Sequence, residues 1–148
     1  MPFELTSPAF AAGSAMPRKF TGDGDNVSPP LVWSGAPQGT QSFALICEDP
    51  DAPSGIFRHW AVANIPRDRT GLAENERPQS CALNDFGHAF YDGPAPPRGH
   101  GLHHYHFKVA ALDVDRVDVP AGQRAAEMWR ALEPRILATA ETIGTYQR

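Results

Sequence analysis

The stretch that decides the fold is SFALICEDPDAPSGIFRHWAVANIP, Ser42 to Pro66. Ser42–Cys47 is a continuous apolar run of strand length, the pattern of a strand buried on both faces. Trp60–Ile65 is a second such run, closed by Pro66. Between them lies Asp49–Gly55 (DPDAPSG), a tight loop stiffened by two prolines. Period-two alternation puts His59, Ala61, Ala63 and Ile65 on one face of the second strand, and Trp60, Val62 and Asn64 on the other.

The flanking sequence repeats this short-strand pattern. Upstream, Phe3–Phe20 reads as an edge strand plus loop, and Thr21–Asn26 (TGDGDN) as a turn. Leu31, Val32 and Trp33 form a short strand inside the Pro/Gly brackets of Ser28–Pro37. Downstream, Arg67–Cys81 is a polar surface excursion and Gly87–Tyr91 a short strand. Gly93–Gly101 (GPAPPRGHG) is a loop that can be neither helix nor central strand, and Leu102–Leu112 is a strand. Only the end is helical. Over Gln123–Ala140, Met128, Trp129, Leu132, Ile136 and Leu137 share one apolar face. Pro134 breaks that helix near Glu133 and opens a second short one. Gly144 stops it, and Ile143–Gln147 adds a last strand. The expectation is a mainly β chain, a β-sandwich with a short C-terminal helical segment broken near Pro134.

Composition limits the function classes. The 148 residues suit one domain spanning the whole chain. Thirteen Lys plus Arg against 17 Asp plus Glu leave a net charge of −4, which argues against nucleic-acid binding. No signal-peptide pattern opens the chain, and charged residues interrupt every long apolar stretch, so no transmembrane segment is expected. Cys47 and Cys81 form no CxxC pair. The expectation is a reduced, cytoplasmic protein.

Five of the six histidines fall between His88 and His106. On the strand after the Gly93–Gly101 loop, His103, Tyr105 and Phe107 share one face, and His104, His106 and Lys108 the other. His104 and His106 form an HxH pair, but Lys108 beside them repels a cation and no third ligand follows at fixed spacing. That pair reads as a solvated face. No metal and no cofactor are expected. No nucleophile elbow, phosphate-binding Gly loop, HExxH or dinucleotide fingerprint is present. Imidazole N–H, phenol O–H and loop backbone N–H groups around a small cavity suit a phosphate or carboxylate.

The segments DPDAPSG (Asp49–Gly55), HWAVANIP (His59–Pro66), NDFG (Asn84–Gly87) and GPAPPRGHGLHHYHFKVAAL (Gly93–Leu112) resemble the phosphatidylethanolamine-binding protein family. SPPLVWSGAPQGTQSFAL (Ser28–Leu45) and IGTYQR (Ile143–Arg148) extend the likeness, which is to its short bacterial branch of Raf-kinase-inhibitor-like proteins. The resemblance implies a β-sandwich with a small pocket for phosphate-like anions and phosphorylated head groups. It implies a binding or regulatory module with no shared catalytic activity. Carried over by position, the ligand-binding residues are Asp49, Asp51, Pro53, His59, Pro96, His103 and Tyr105, with Gly93 and Pro94 shaping the rim. A kinase or protease partner is implied by roles in some branches, and a homodimer stays open. Two departures stand out. Ala95 replaces the Cys of the GPCPP seen in many bacterial members, and the Pro66–Asn84 excursion is short. A second reading makes the chain a small hydrolase or lyase with Asp51 and His59 as an acid/base pair.

Overall fold

An apolar run with no polar face has to be covered on both sides, and the computed structural model, which describes residues 2–148, shows how. Strand β3 (Ser42–Asp49) pairs antiparallel with β4 (Phe57–Pro66) on one side and β6 (His103–Leu112) on the other. Strand β7 (Ile136–Tyr146) closes a four-stranded sheet of order β4-β3-β6-β7. A second antiparallel sheet, of order β1-β2-β5, holds β1 (Glu4–Thr6), β2 (Leu31–Ser34) and β5 (Gly71–Leu72).

The two faces of β3 feed two cores. Phe43, Leu45 and Cys47 pack with Trp60, Val62, Phe107 and Val109 against Leu5, Leu31, Trp33 and Leu72 of the small sheet. Ala44 and Ile46 pack with Ala61, Ala110 and Leu112 against helix α1 (Ala125–Leu132), which buries Ala125, Met128 and Leu132. Each fully buried side chain of this size contributes about 1.5–3 kcal/mol. The fold is the expected mainly β sandwich of two sheets, with one short helix laid on the outer face of the larger sheet.

Three local expectations are corrected. The helical pattern ends earlier than its periodicity suggests: Glu133–Arg135 is a single 3-10 turn containing Pro134, and Ile136 already begins β7. Pro134 cannot continue the i→i−4 ladder. Beyond it, Ile136, Thr139, Thr142, Ile143 and Thr145 are β-branched, and β7 pairs with β6 from Leu112↔Ile136 to His103↔Tyr146. Pairing along a whole strand outweighs the high helix propensity of Leu137, Ala138 and Ala140. Gly144 therefore stops no helix; a Cβ there would run into the Met16 side chain. Gly87–Tyr91 forms no strand, because Asn84 ties that segment into a loop, as described below. The excursion after Pro66 contains the short strand β5.

The third correction concerns alternation along β4. Phe43 pairs with Ile65 but Leu45 with Val62, so β4 carries one extra residue there, and Asn64 takes a left-handed φ of 56°. Cys47 pairs with Trp60 but Glu48 with Arg58, leaving His59 as a second extra residue. Each bulge shifts the face on which the next side chain emerges. Ile65 consequently joins the core of Trp60 and Val62, and does not share the face of Ala61 and Ala63.

Substitution distinguishes the strand from the helix that periodicity suggests. Met128→Ala removes a fully buried side chain and should cost about 2–5 kcal/mol. Leu137→Ala, at a side chain 43 % exposed on β7, should stay within about 0.5 kcal/mol. Urea unfolding of both variants checks the pair.

Candidate functional site

Sheet order places the site. Because β3 runs antiparallel to both neighbours, its last residue, Asp49, lies beside the starts of β4 and β6. Three strand ends thus bring Asp49, Phe57, His59, His103 and Tyr105 together. Three loops wall the space above them. They supply Ala52, Pro53 and Ser54, then Phe86, then Ala95, Pro96 and Pro97. The cavity holds about 260 Å³. An open groove along Leu31, Val32, Asp68 and Leu72 is larger, about 370 Å³, but none of its ionisable side chains is buried.

Asp49 and His103 form the floor. His103 Nδ1 donates to Asp49 Oδ2 at 2.6 Å, with the two side chains only 2 % and 4 % exposed. The other carboxylate oxygen, Oδ1, accepts the Asp51 backbone N–H at 2.8 Å. A buried ionisable pair is tolerated only when its remaining polar atoms are satisfied. His103 Nε2 faces outward and meets His100 Nδ1 at 2.6 Å.

His59 reaches the same cavity through its bulge. Its ring lies 4.9 Å from that of Phe57 and 5.3 Å, edge on, from that of Tyr105. Its Nδ1 is 2.7 Å from the carbonyl oxygen of Asp92. A carbonyl only accepts, so Nδ1 carries the proton and Nε2 is the ligand-side atom. Burial lowers the pKa of this imidazole, against the smaller raising effects of the Asp92 hydrogen bond and of Asp49, Asp92 and Asp85. At neutral pH, Nε2 is therefore an unprotonated acceptor. Burial raises the Tyr105 phenol well above its ordinary value, with Asp49 adding to the effect, so its hydroxyl keeps its proton.

The expected residues are distributed unevenly around this floor. Asp49, Pro53, His59, Pro96 and His103 line the cavity, while Tyr105 stands behind His59. Gly93 and Pro94 lie beneath the rim: Gly93 N–H donates to Asn26 Oδ1 at 2.7 Å, and Pro94 O accepts from Gly22 N–H at 2.8 Å. A Cβ on Gly93 would strike the Phe20 carbonyl, so the rim needs glycine there. Asp51 turns away from the cavity and takes both His104 N–H (2.9 Å) and His104 Nδ1 (2.7 Å). Those bonds hold its carboxyl below the usual range. The Asp51–His59 acid/base pair is thus not assembled. His106 faces Glu141 at 3.3 Å on the same outer face as Lys108 and Glu48.

Sequence reasoning assigned no role to three residues that matter here. Phe86 packs edge on against Phe57 at 4.7 Å and completes the apolar wall. Asn84, 1 % exposed, organises the loop that carries Phe86. Its Oδ1 accepts Phe86 N–H and His88 N–H at 2.9 and 3.0 Å. Its Nδ2 faces Asp92 Oδ2, Phe90 O and His59 O at 2.7, 2.8 and 3.2 Å. One buried amide thus fixes both Phe86 and the Asp92 segment that orients His59. The NDFG motif was its only trace in the sequence. His100 is the third, on the open side of His103. Among the described residues, no cluster of three or more His, Cys, Asp or Glu is disposed to hold a metal ion. No helix there is long and apolar enough to cross a membrane.

Comparison with known proteins gives a consistent result. The family model described as phosphatidylethanolamine-binding protein matches residues 6–147. A UPF0098 protein of Aquifex aeolicus is 42 % identical, over 98 % of this chain and 88 % of that protein. The crystal structure of Escherichia coli YbcL, titled a new member of the mammalian PEBP family, superposes with a TM-score of 0.93. It is 36 % identical and the match covers 100 % of this chain and 99 % of that one. A phosphatidylethanolamine-binding protein homolog from Chlamydia trachomatis gives 0.90 at 37 % identity, over 99 % of this chain and 97 % of that one.

Buried His59 makes stability depend on pH with a defined sign. Its folded pKa lies below the ordinary imidazole value of about 6.5, so the unfolded chain binds the extra proton first. This contribution is complete above that value and is lost as pH falls through it. Urea melts from pH 7.5 to 5 should show His59→Gln losing less stability than the parent chain.

Proposed function

This chain belongs to the phosphatidylethanolamine-binding protein family, and from that premise we propose that it is a small binding or regulatory module. Its pocket takes phosphate or a phosphorylated head group. The observation that carries this reading is the convergence of two buried imidazoles, each committed through Nδ1, on one cavity. With Nδ1 of His59 held by Asp92 and Nδ1 of His103 held by Asp49, both rings can present only Nε2 to a ligand.

An anion entering this space meets no lysine or arginine among the lining residues. It is held by protonation instead. A bound negative charge favours the imidazolium form of His59, which turns Nε2 from an acceptor into a charged donor. His103 lines the same cavity, with Asp49 bonded behind its ring through Nδ1. The Tyr105 hydroxyl stays protonated behind His59, where it can support a bound anion. Binding should therefore strengthen as pH falls through the neutral range. The cavity exceeds the size of one tetrahedral anion, and Phe57, Phe86, Pro53 and Pro96 offer the remainder an apolar wall. Kinase or protease modulation, as in some branches of the family, would use the exposed rim around Phe86 as its contact surface.

Calorimetric titration with phosphate and with phosphoethanolamine tests the assignment. His59→Gln and His103→Gln should each weaken binding by at least about tenfold. Asp51→Asn, whose carboxylate serves His104 outside the cavity, should change it less than about twofold. Unchanged affinity in both histidine variants would remove the pocket from consideration.

A further inference from the structure

The nitrogen of His103 that an anion needs is already in use. His103 Nδ1 is committed to Asp49, so Nε2 is its only atom left for a ligand, and His100 Nδ1 lies on it at 2.6 Å. The two rings sit 4.8 Å apart at 57°. Two imidazole nitrogens at this separation share one proton, because two protons between them would clash and none would leave lone pairs opposed. An anion and His100 therefore compete for one position.

The surrounding backbone suits a residue that comes and goes. His100 is exposed and does not line the cavity. Gly99 and Gly101 flank it with φ of 74° and 93°, both with open space around the Cβ position. The segment is tied by long bonds: His100 N–H to Pro97 O at 3.2 Å and Gly99 N–H to Arg148 O at 3.3 Å. The base of the same loop is held by the shorter Gly22–Pro94 and Gly93–Asn26 bonds of 2.8 and 2.7 Å. The firm part of the loop builds the pocket wall, and the loosely held part carries the histidine.

We propose that His100 is an affinity-setting gate of the anion pocket, whose imidazole must leave His103 Nε2 before a phosphate-type anion can take that place. This rests on the pocket reading above and adds a residue to it. Truncating a direct competitor strengthens binding, whereas truncating an ordinary contact residue weakens it, so the sign of the effect decides.

The test is titration of inorganic phosphate into the parent chain, His100→Ala, His100→Gln and His103→Gln at one pH, with 15N-resolved NMR of the histidine rings. The gate predicts that His100→Ala binds phosphate about three- to tenfold more tightly than the parent. His103→Gln should lose binding. In the parent, saturating phosphate should shift the His100 ring nitrogens towards those of a solvent-exposed imidazole. Unchanged or weaker binding in His100→Ala, while His103→Gln still abolishes it, overturns the gate and leaves the pocket intact. His100 signals that do not move at saturation overturn it independently. Absence of phosphate binding in every variant removes the pocket and the gate together.

Discussion

The buried contact between Asp49 and His103 is the constraint on which the site depends. It joins the end of β3 to the start of β6, at the point where sheet order brings three strand ends together. Taking a carboxylate and an imidazole out of water is costly, and breaking one member of such a pair costs about 3–5 kcal/mol. The second carboxylate oxygen is met by a backbone N–H of the Pro-stiffened loop, so the pair also fixes the loop that supplies Pro53. Because the carboxylate holds Nδ1, the geometry leaves one nitrogen of His103 for all other chemistry.

A parallel logic governs His59. Regular pleating would turn it away from His103, and the one-residue bulge opposite Cys47 and Glu48 brings it back. The Asp92 carbonyl then sets its tautomer, and Asn84 holds the segment that supplies that carbonyl. Two imidazoles that both point Nε2 away from their Nδ1 anchors are thus produced by two unrelated devices, a carboxylate under one and a loop carbonyl beside the other. Burial keeps His59 neutral until charge arrives. On the proposed reading, this would let a chain with net charge −4 and no cation lining the pocket accept an anion.

Much of this was legible from the sequence, for specific reasons. The apolar run Ser42–Cys47 implied a strand covered on both faces, and the two cores supply that cover. Asp49, Pro53, His59, Pro96 and His103 were singled out by motif, and all five line one cavity. What was hidden depended on pairing and on contacts distant in sequence. Ile136–Ala140 carries helical spacing of apolar residues, and only its pairing with β6 makes it a strand. Bulges leave no mark in period-two alternation, so Ile65 was placed on the wrong face. Asp51 shares a motif with Asp49, yet its carboxylate is taken by His104, more than fifty positions away. His100 looked like one more exposed loop histidine until the loop folded it onto His103.

The central claim is that the pocket binds anions by acquiring a proton on His59, an imidazole that burial keeps neutral at rest. Its most direct test is calorimetry of sulfate binding at pH 7.5 in buffers of differing ionisation enthalpy. Sulfate carries no titratable proton near neutrality, so any proton taken up must go to the protein. The account predicts net uptake approaching one proton per sulfate bound, and its loss together with binding in His59→Gln. Sulfate binding with no buffer-dependent enthalpy would contradict it, because the anion would then be held by donors already in place.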